Sequence, residues 1–176
     1  MRITTLGLTL AGALVLAGCS TLISLNPIIT EQQATFDPAL LGAWNATEGD
    51  GIFVIKQDGA GYGIVYTEGK SVATKFDARM MRVGSAEILD LVIDDDDPFR
   101  IPAHLLARVW PGSSTLRWAF LDSDWLKEQA AKQLPSQKDG DRTLLTAPGP
   151  AVQAFLMLRG ADERAYSKPQ DLVKAQ

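Results

Sequence analysis

One cysteine and one histidine among 176 residues remove several chemistries at once. With Cys19 alone no disulfide can form within the chain, so the fold must hold by packing even in an oxidising compartment. With His104 alone there is no histidine pair or triad to hold zinc. A Ser-His-Asp arrangement would have to be assembled around that one histidine, and no Gly-x-Ser-x-Gly elbow supports it. No apolar run reaches the ~20 residues that a membrane-spanning helix needs. Positive charge is also in short supply, 17 Lys and Arg against 21 Asp and Glu, which makes nucleic acid an unsuitable partner. There is no internal repeat, and the short acidic run Asp94-Asp95-Asp96-Asp97 is the one low-complexity tract.

What is present begins at the N-terminus. Arg2 gives a positive flank, and residues 3–16 carry no charge and are rich in Leu, Ala, Gly, Val and Thr. That pattern is a cleaved secretory signal rather than a membrane span. Leu16-Ala17-Gly18-Cys19 closely resembles the lipobox of bacterial lipoproteins. The resemblance implies cleavage before Cys19, a diacylglyceryl thioether on its sulfur and acylation of the freed amine. With ~0.8 kcal/mol per buried CH₂, two or three chains hold a protein on a membrane where one holds only marginally. By the sorting rule of that family, Ser20 in place of an aspartate implies the outer membrane, with the domain facing the periplasm. Loss of residues 1–18 leaves 16 basic and 21 acidic residues, a formal net charge of −5. The remaining 158 residues suit one domain.

The expected division is a signal peptide at 1–18, a lipidated tether at 19–35, a single β-rich domain at 36–168 and a flexible tail at 169–176. The tether is too apolar for a flexible polar linker, because Leu22, Ile23, Leu25, Ile28 and Ile29 favour docking on the domain or on the membrane surface. Asp37 can cap and Pro38 can open a single helical turn that Gly42 ends. Turn signals then recur at short intervals, with β-rich runs at Ala43-Trp44 and at 52–57, 62–67, 72–83, 87–93, 104–110 and 115–121. Several alternate as half-buried strands do: Tyr62, Ile64 and Tyr66 share a face, as do Phe76, Ala78 and Met80, and Leu116, Trp118 and Phe120. The phase breaks at Met80-Met81, which predicts a β-bulge.

These runs predict a mainly β fold, an antiparallel meander closing into a barrel, with a sandwich as the alternative. Two α-helices are expected in the C-terminal half. The first, capped at Asp122 or Ser123, carries Trp125, Leu126, Ala130 and Leu134 on one face and stops at Pro135. The second, opened by residues 146–150, turns Val152, Phe155, Leu156 and Arg159 toward the domain and stops at Gly160. A last strand is expected between them at 143–146. The turn followed by Gly42-Ala43-Trp44 and a meander resembles the opening of the lipocalins, which implies a lipocalin-like barrel whose tryptophan closes the base. Ile101-Pro102-Ala103-His104, the stretch 121–126, Leu145-Thr146-Ala147-Pro148 and Phe155-Leu156 resemble a family of small bacterial lipoproteins, which implies one domain of this size and supplies no activity.

Residue by residue, His104 stands just before a strand and reads as a structural hydrogen-bonding group. The aspartates 94–97 lack the spaced ligands, glycine and closing glutamate of a calcium loop and read as a solvated hairpin tip. Trp44, Trp110, Trp118 and Trp125 sit at strand or helix periodicity and read mostly as core. No catalytic set, metal site or cofactor is expected. Tyr62, Tyr66, Phe76, Met80, Leu91 and Trp118, with Ile64, face inward and are the candidate lining of a site for a small, partly apolar molecule. The chain is thus expected to be a non-catalytic, lipid-anchored envelope module that binds such a molecule. An envelope interaction or structural protein without a small ligand is the alternative, to be chosen if the barrel is packed solid.

Overall fold

The computed structural model describes residues 22–94, 101–129, 133–139 and 142–175. After β1 (Leu22–Ser24), the meander runs through β2 (Gly42–Ala46), β3 (Gly51–Asp58), β4 (Gly61–Glu68), β5 (Thr74–Val83), β6 (Ala86–Ile93), β7 (His104–Pro111) and β8 (Thr115–Phe120). Then come a short helical segment α1 (Ser123–Gln129), β9 (Ser136–Asp139), β10 (Arg142–Leu145), the helix α2 (Gly149–Arg159) and β11 (Gln170–Lys174). Strands β2 to β8 pair in sequence order, each antiparallel to the next. β11 pairs antiparallel with both β8 and β2, so eight strands form a closed barrel. The protein is therefore mainly β, and the closed barrel fits the lipocalin-like architecture.

Alternation decides which side chains fill the barrel. Trp44, Ile55, Tyr62, Ile64, Ala78, Met80, Leu89, Leu91, Ala107, Val109, Leu116 and Leu172 form one buried cluster inside it. One end is closed by the turn before β2. Asp37 Oδ1 accepts from the Ala39 N–H (2.8 Å), which caps a single 3₁₀ turn at Pro38–Leu40 and sets Leu40 over Trp44. Trp44 is completely buried, and its indole N–H donates to the Leu40 carbonyl at 2.9 Å. Expectation and structure agree on the turn, on the inward tryptophan and on the seven meander strands.

A second buried cluster lies outside the barrel. Ile88, Leu106, Ala119 and Leu121 project outward from β6 to β8, where Ile28, Ile29, Leu145, Val152, Phe155 and Leu156 cover them. β1 lies parallel to β10 and touches the start of β7 through the pair Ser24 and His104, and β9 pairs with β10. The apolar residues after Cys19 are thus part of the fold from Leu22 onward, rather than a tether leading to it.

This outer layer explains where the sequence misleads. No bulge occurs at Met80-Met81, because the β5–β6 register runs unbroken from Phe76 opposite Ile93 to Val83 opposite Ala86. Met80 points into the barrel while Val83 points out into the covered layer, so burial changes phase with no extra residue. The strand expected at 143–146 is β10, and it joins the outer layer instead of closing the barrel. The closing strand is β11, inside the segment expected to be a flexible tail, and Leu172 is its one buried residue. Of the two expected helices only α2 is a full helix. α1 is described over Ser123–Gln129, with Asp122 Oδ1 capping it by accepting from the Trp125 N–H (2.8 Å); the expected Ala130 lies outside the described residues, and Leu134 is buried outside any helix. Arg159 is exposed rather than turned toward the domain.

Candidate functional site

The β6–β7 hairpin brings together two polar groups that lie 14 residues apart in sequence. Asp90 and His104 sit on the outward faces of adjacent strands, two residues out of register with each other (Asp90 is opposite Leu106 and His104 opposite Val92), and both are buried. The Nδ1 of His104 lies 2.8 Å from Oδ1 of Asp90. Asp90 Oδ2 accepts the backbone N–H groups of Ile28 (2.9 Å) and Ile29 (3.1 Å). The cause is accounting: the N-terminal segment buries both isoleucines, and their N–H groups need acceptors where no strand supplies them. On the other side, Gln153 of α2 donates its amide to the Ile28 carbonyl. One carboxylate therefore clamps the N-terminal segment and orients the imidazole.

That imidazole forms part of the wall of a cleft of about 420 Å³ on the outside of the barrel. With Asp90 facing Nδ1, the orientation of the ring is fixed at that nitrogen. The cleft is lined further by Glu31 from the N-terminal segment, Asp58 at the end of β3, and Asp77 and Arg79 on the outer face of β5. The floor near β4 is backbone, since a Cβ on Gly61 would run into the Ala78 carbonyl. Partial burial pushes the Asp77 carboxyl above the usual aspartate value, and the charges of Asp94 and Asp58 add to the effect.

Chemically the cleft offers carboxylate and imidazole groups and the Arg79 guanidinium, and among the described residues no serine, threonine or cysteine lines it. Ser24 is opposite His104 in register, but its hydroxyl donates to the Asn26 carbonyl (2.9 Å) and accepts the Asn26 N–H (3.2 Å), which closes a local turn. Among the described residues no group of three or more His, Cys, Asp or Glu is placed to hold a metal ion. A second cleft, of about 290 Å³, lies between Trp110 and Tyr166. Its cations are engaged elsewhere, Arg117 with Asp171 at 2.7 Å and Lys168 with Glu48 at 3.8 Å.

The residues expected to line an interior site are brought together in the barrel, but most act as core. Tyr62, Ile64, Met80 and Leu91 are buried. The Tyr62 hydroxyl is taken by the closing turn, accepting the Asp37 N–H at 2.7 Å and donating to the Asp37 carbonyl at 3.3 Å. Tyr66, Phe76 and Trp118 are only partly buried, with Phe53 and Phe120 beside them, toward the end where β4 finishes and β5 starts. Phe53 meets Tyr66 at 4.6 Å and Trp118 at 5.7 Å, and Trp118 meets Phe120 edge-on at 4.8 Å between ring centres. The Tyr66 hydroxyl donates to Glu68 at 3.1 Å. Cys19 and Asp95 to Asp97 lie outside the described residues, and Asp94 is an exposed residue whose N–H donates to the Lys75 carbonyl (2.9 Å).

Asp90 was not legible as a site residue. The available signal was its position: Ala86 and Ile88 share its strand face, so a lone aspartate there sits on a covered surface and needs partners.

Comparison with protein-family profiles, with curated proteins and with solved structures returns no match. Among the described residues no helix is long and apolar enough to cross a membrane.

Proposed function

We propose that the protein is a non-catalytic, lipid-anchored module of the cell envelope that binds a small molecule in the outer cleft beside His104. The observation that carries this reading is a buried imidazole, oriented by a buried carboxylate, in the wall of a cleft of 420 Å³. That volume falls in the range of small-molecule sites, about 300–1,000 Å³, and convergent polar groups fix a ligand's orientation. Anchoring rests on the Leu16 to Cys19 box, and Ser20 favours the outer membrane with the domain on its periplasmic side. Because β1 starts three residues after Cys19, the lipid would hold the start of β1 within roughly 10 Å of the bilayer surface.

A second reading places a partly apolar ligand at the end of the barrel where Phe53, Tyr66, Phe76, Trp118 and Phe120 are half-buried. The incomplete burial of five aromatic groups in one patch favours it. NMR of the detergent-solubilised protein separates the two, because His104 is the one histidine and gives a single set of ring signals. A fragment library is expected to shift the His104 ring in a saturable way and leave the Trp118 indole signal in place. Movement of Trp118 alone would transfer the site to the barrel end. If neither moves, the small-molecule reading fails and a protein partner in the envelope becomes the leading function.

A further inference from the structure

Arg108 is a cation placed where the fold offers it no anion. It shares the outward face of β7 with Leu106, has Ile88 of β6 and Ala119 of β8 opposite it in register, and is 7% exposed. Its Nε and Nη1 atoms are sealed from solvent and have no hydrogen-bond partner among the described residues. Two aromatic rings flank the guanidinium, whose carbon lies 4.5 Å from the ring centre of Trp110 and 5.5 Å from that of Tyr166. Such contacts cover the faces of the group, but its N–H bonds lie in the plane and need acceptors at the edges. A buried charge without a partner is costly, and native structures keep few buried polar groups in that state.

The rings that flank Arg108 also line the second cleft, of about 290 Å³. The cations lining that cleft already face carboxylates, Arg117 at Asp171 and Lys168 at Glu48. Glu163, the one carboxylate in the lining among the described residues, is exposed and acts on Arg117. Trp110 is only partly buried and touches both the cleft and the guanidinium.

We propose that this cleft binds a small molecule carrying a single carboxylate, and that Arg108 is the partner of that carboxylate. The Trp110 ring turns aside, the carboxylate accepts the unpaired N–H groups of the guanidinium, and the apolar body of the ligand lies against Trp110 and Tyr166. One buried cation balances one negative charge, and Glu163 disfavours a second. The site is separate from the cleft beside His104, which lies at the opposite end of β7.

Phenylacetate, phenylacetamide and phenethylamine share one ring and differ in charge. Each is titrated into the detergent-solubilised full-length protein while the Arg108 Nε–H and Trp110 indole signals are followed by NMR. Phenylacetate is expected to bind saturably and move both signals, at least tenfold more tightly than the amide, with the amine weakest. Arg108→Met, which puts an apolar side chain in place of the buried charge, is expected to melt no lower than the parent protein and to weaken phenylacetate tenfold or more. If the amide binds as tightly as the acid, or if phenylacetate binds Arg108→Met unchanged, the proposal falls. If no probe moves either signal, Arg108 is a structural group held by its two rings and the proposal falls as well. Should Arg108→Met not fold, the Arg108 Nε–H signal of the parent protein decides alone: saturable movement with phenylacetate and not with the amide supports the site, and a fixed signal overturns it.

Discussion

The fold depends on a few side chains whose polar atoms have no alternative partner. Asp90 is the clearest, since one carboxylate satisfies two backbone N–H groups and one ring nitrogen in the buried layer. Hydrogen bonds to charged groups contribute about 1.5–3 kcal/mol each before context, and a buried donor left unpaired costs its desolvation as well. Asp90→Ala is expected to lower stability by about 3 kcal/mol, read as a fall in the urea midpoint with an unchanged slope. Asp90→Asn should lose less, because its carbonyl can still accept. Tyr166 gives a prediction in pH. Burial pushes its hydroxyl up to about 12, from the ordinary value of 10, while the nearby Arg108 pulls the other way. The folded state thus keeps a proton that the unfolded chain releases. The stability is intact below pH 10 and is lost as pH rises toward 12, by about 2–3 kcal/mol. Tyr166→Phe should flatten this alkaline loss, although it also removes the bond to the Gly160 carbonyl.

Elements were legible in proportion to how one-sided their burial is. The meander strands bury one face against the barrel, so Tyr62, Ile64 and Tyr66, or Leu116, Trp118 and Phe120, could be read from period two. β6 and β7 bury both faces, one inside the barrel and one under α2, which turned Asp90 into a residue without an evident environment. β11 was illegible for the opposite reason. Its sequence, Gln-Asp-Leu-Val-Lys, presents a single buried side chain, and only pairing with both β2 and β8 makes it a strand. Truncation after Pro169 should therefore behave as loss of a wall and not of a tail. It leaves two unpaired strand edges and uncovers Trp44 and Leu116, and aggregation or loss of the near-ultraviolet circular dichroism signal is the expected result. A truncated protein that melts as the full chain does would refute the closing role. Gly149 tests the outer layer in the same way. A Cβ there would strike the Pro27 carbonyl, so Gly149→Ala is expected to cost about 1–3 kcal/mol by prising the N-terminal segment from α2.

On the scale of the whole molecule, the N-terminal segment does three things at once. It packs the outer core through Ile28 and Ile29, it completes the cleft through Glu31, and it begins at Leu22, three residues beyond the cysteine proposed to carry lipid. The proposed anchor rests on a contiguous motif, Leu16 to Cys19, which can be read from local residues alone. The cleft cannot be read in that way, because its walls come from separate segments spread between Glu31 and His104 that meet only when the barrel closes. The most direct test of the account is the intact mass of the protein extracted from membranes of an expressing bacterium, fragmented to locate its N-terminus. The expected species begins at Cys19 and carries a diacylglyceryl group with an acylated amine, and Cys19→Ser yields none of it. A mature protein that begins elsewhere, or that begins at Cys19 without lipid and fractionates as freely soluble, would contradict the account.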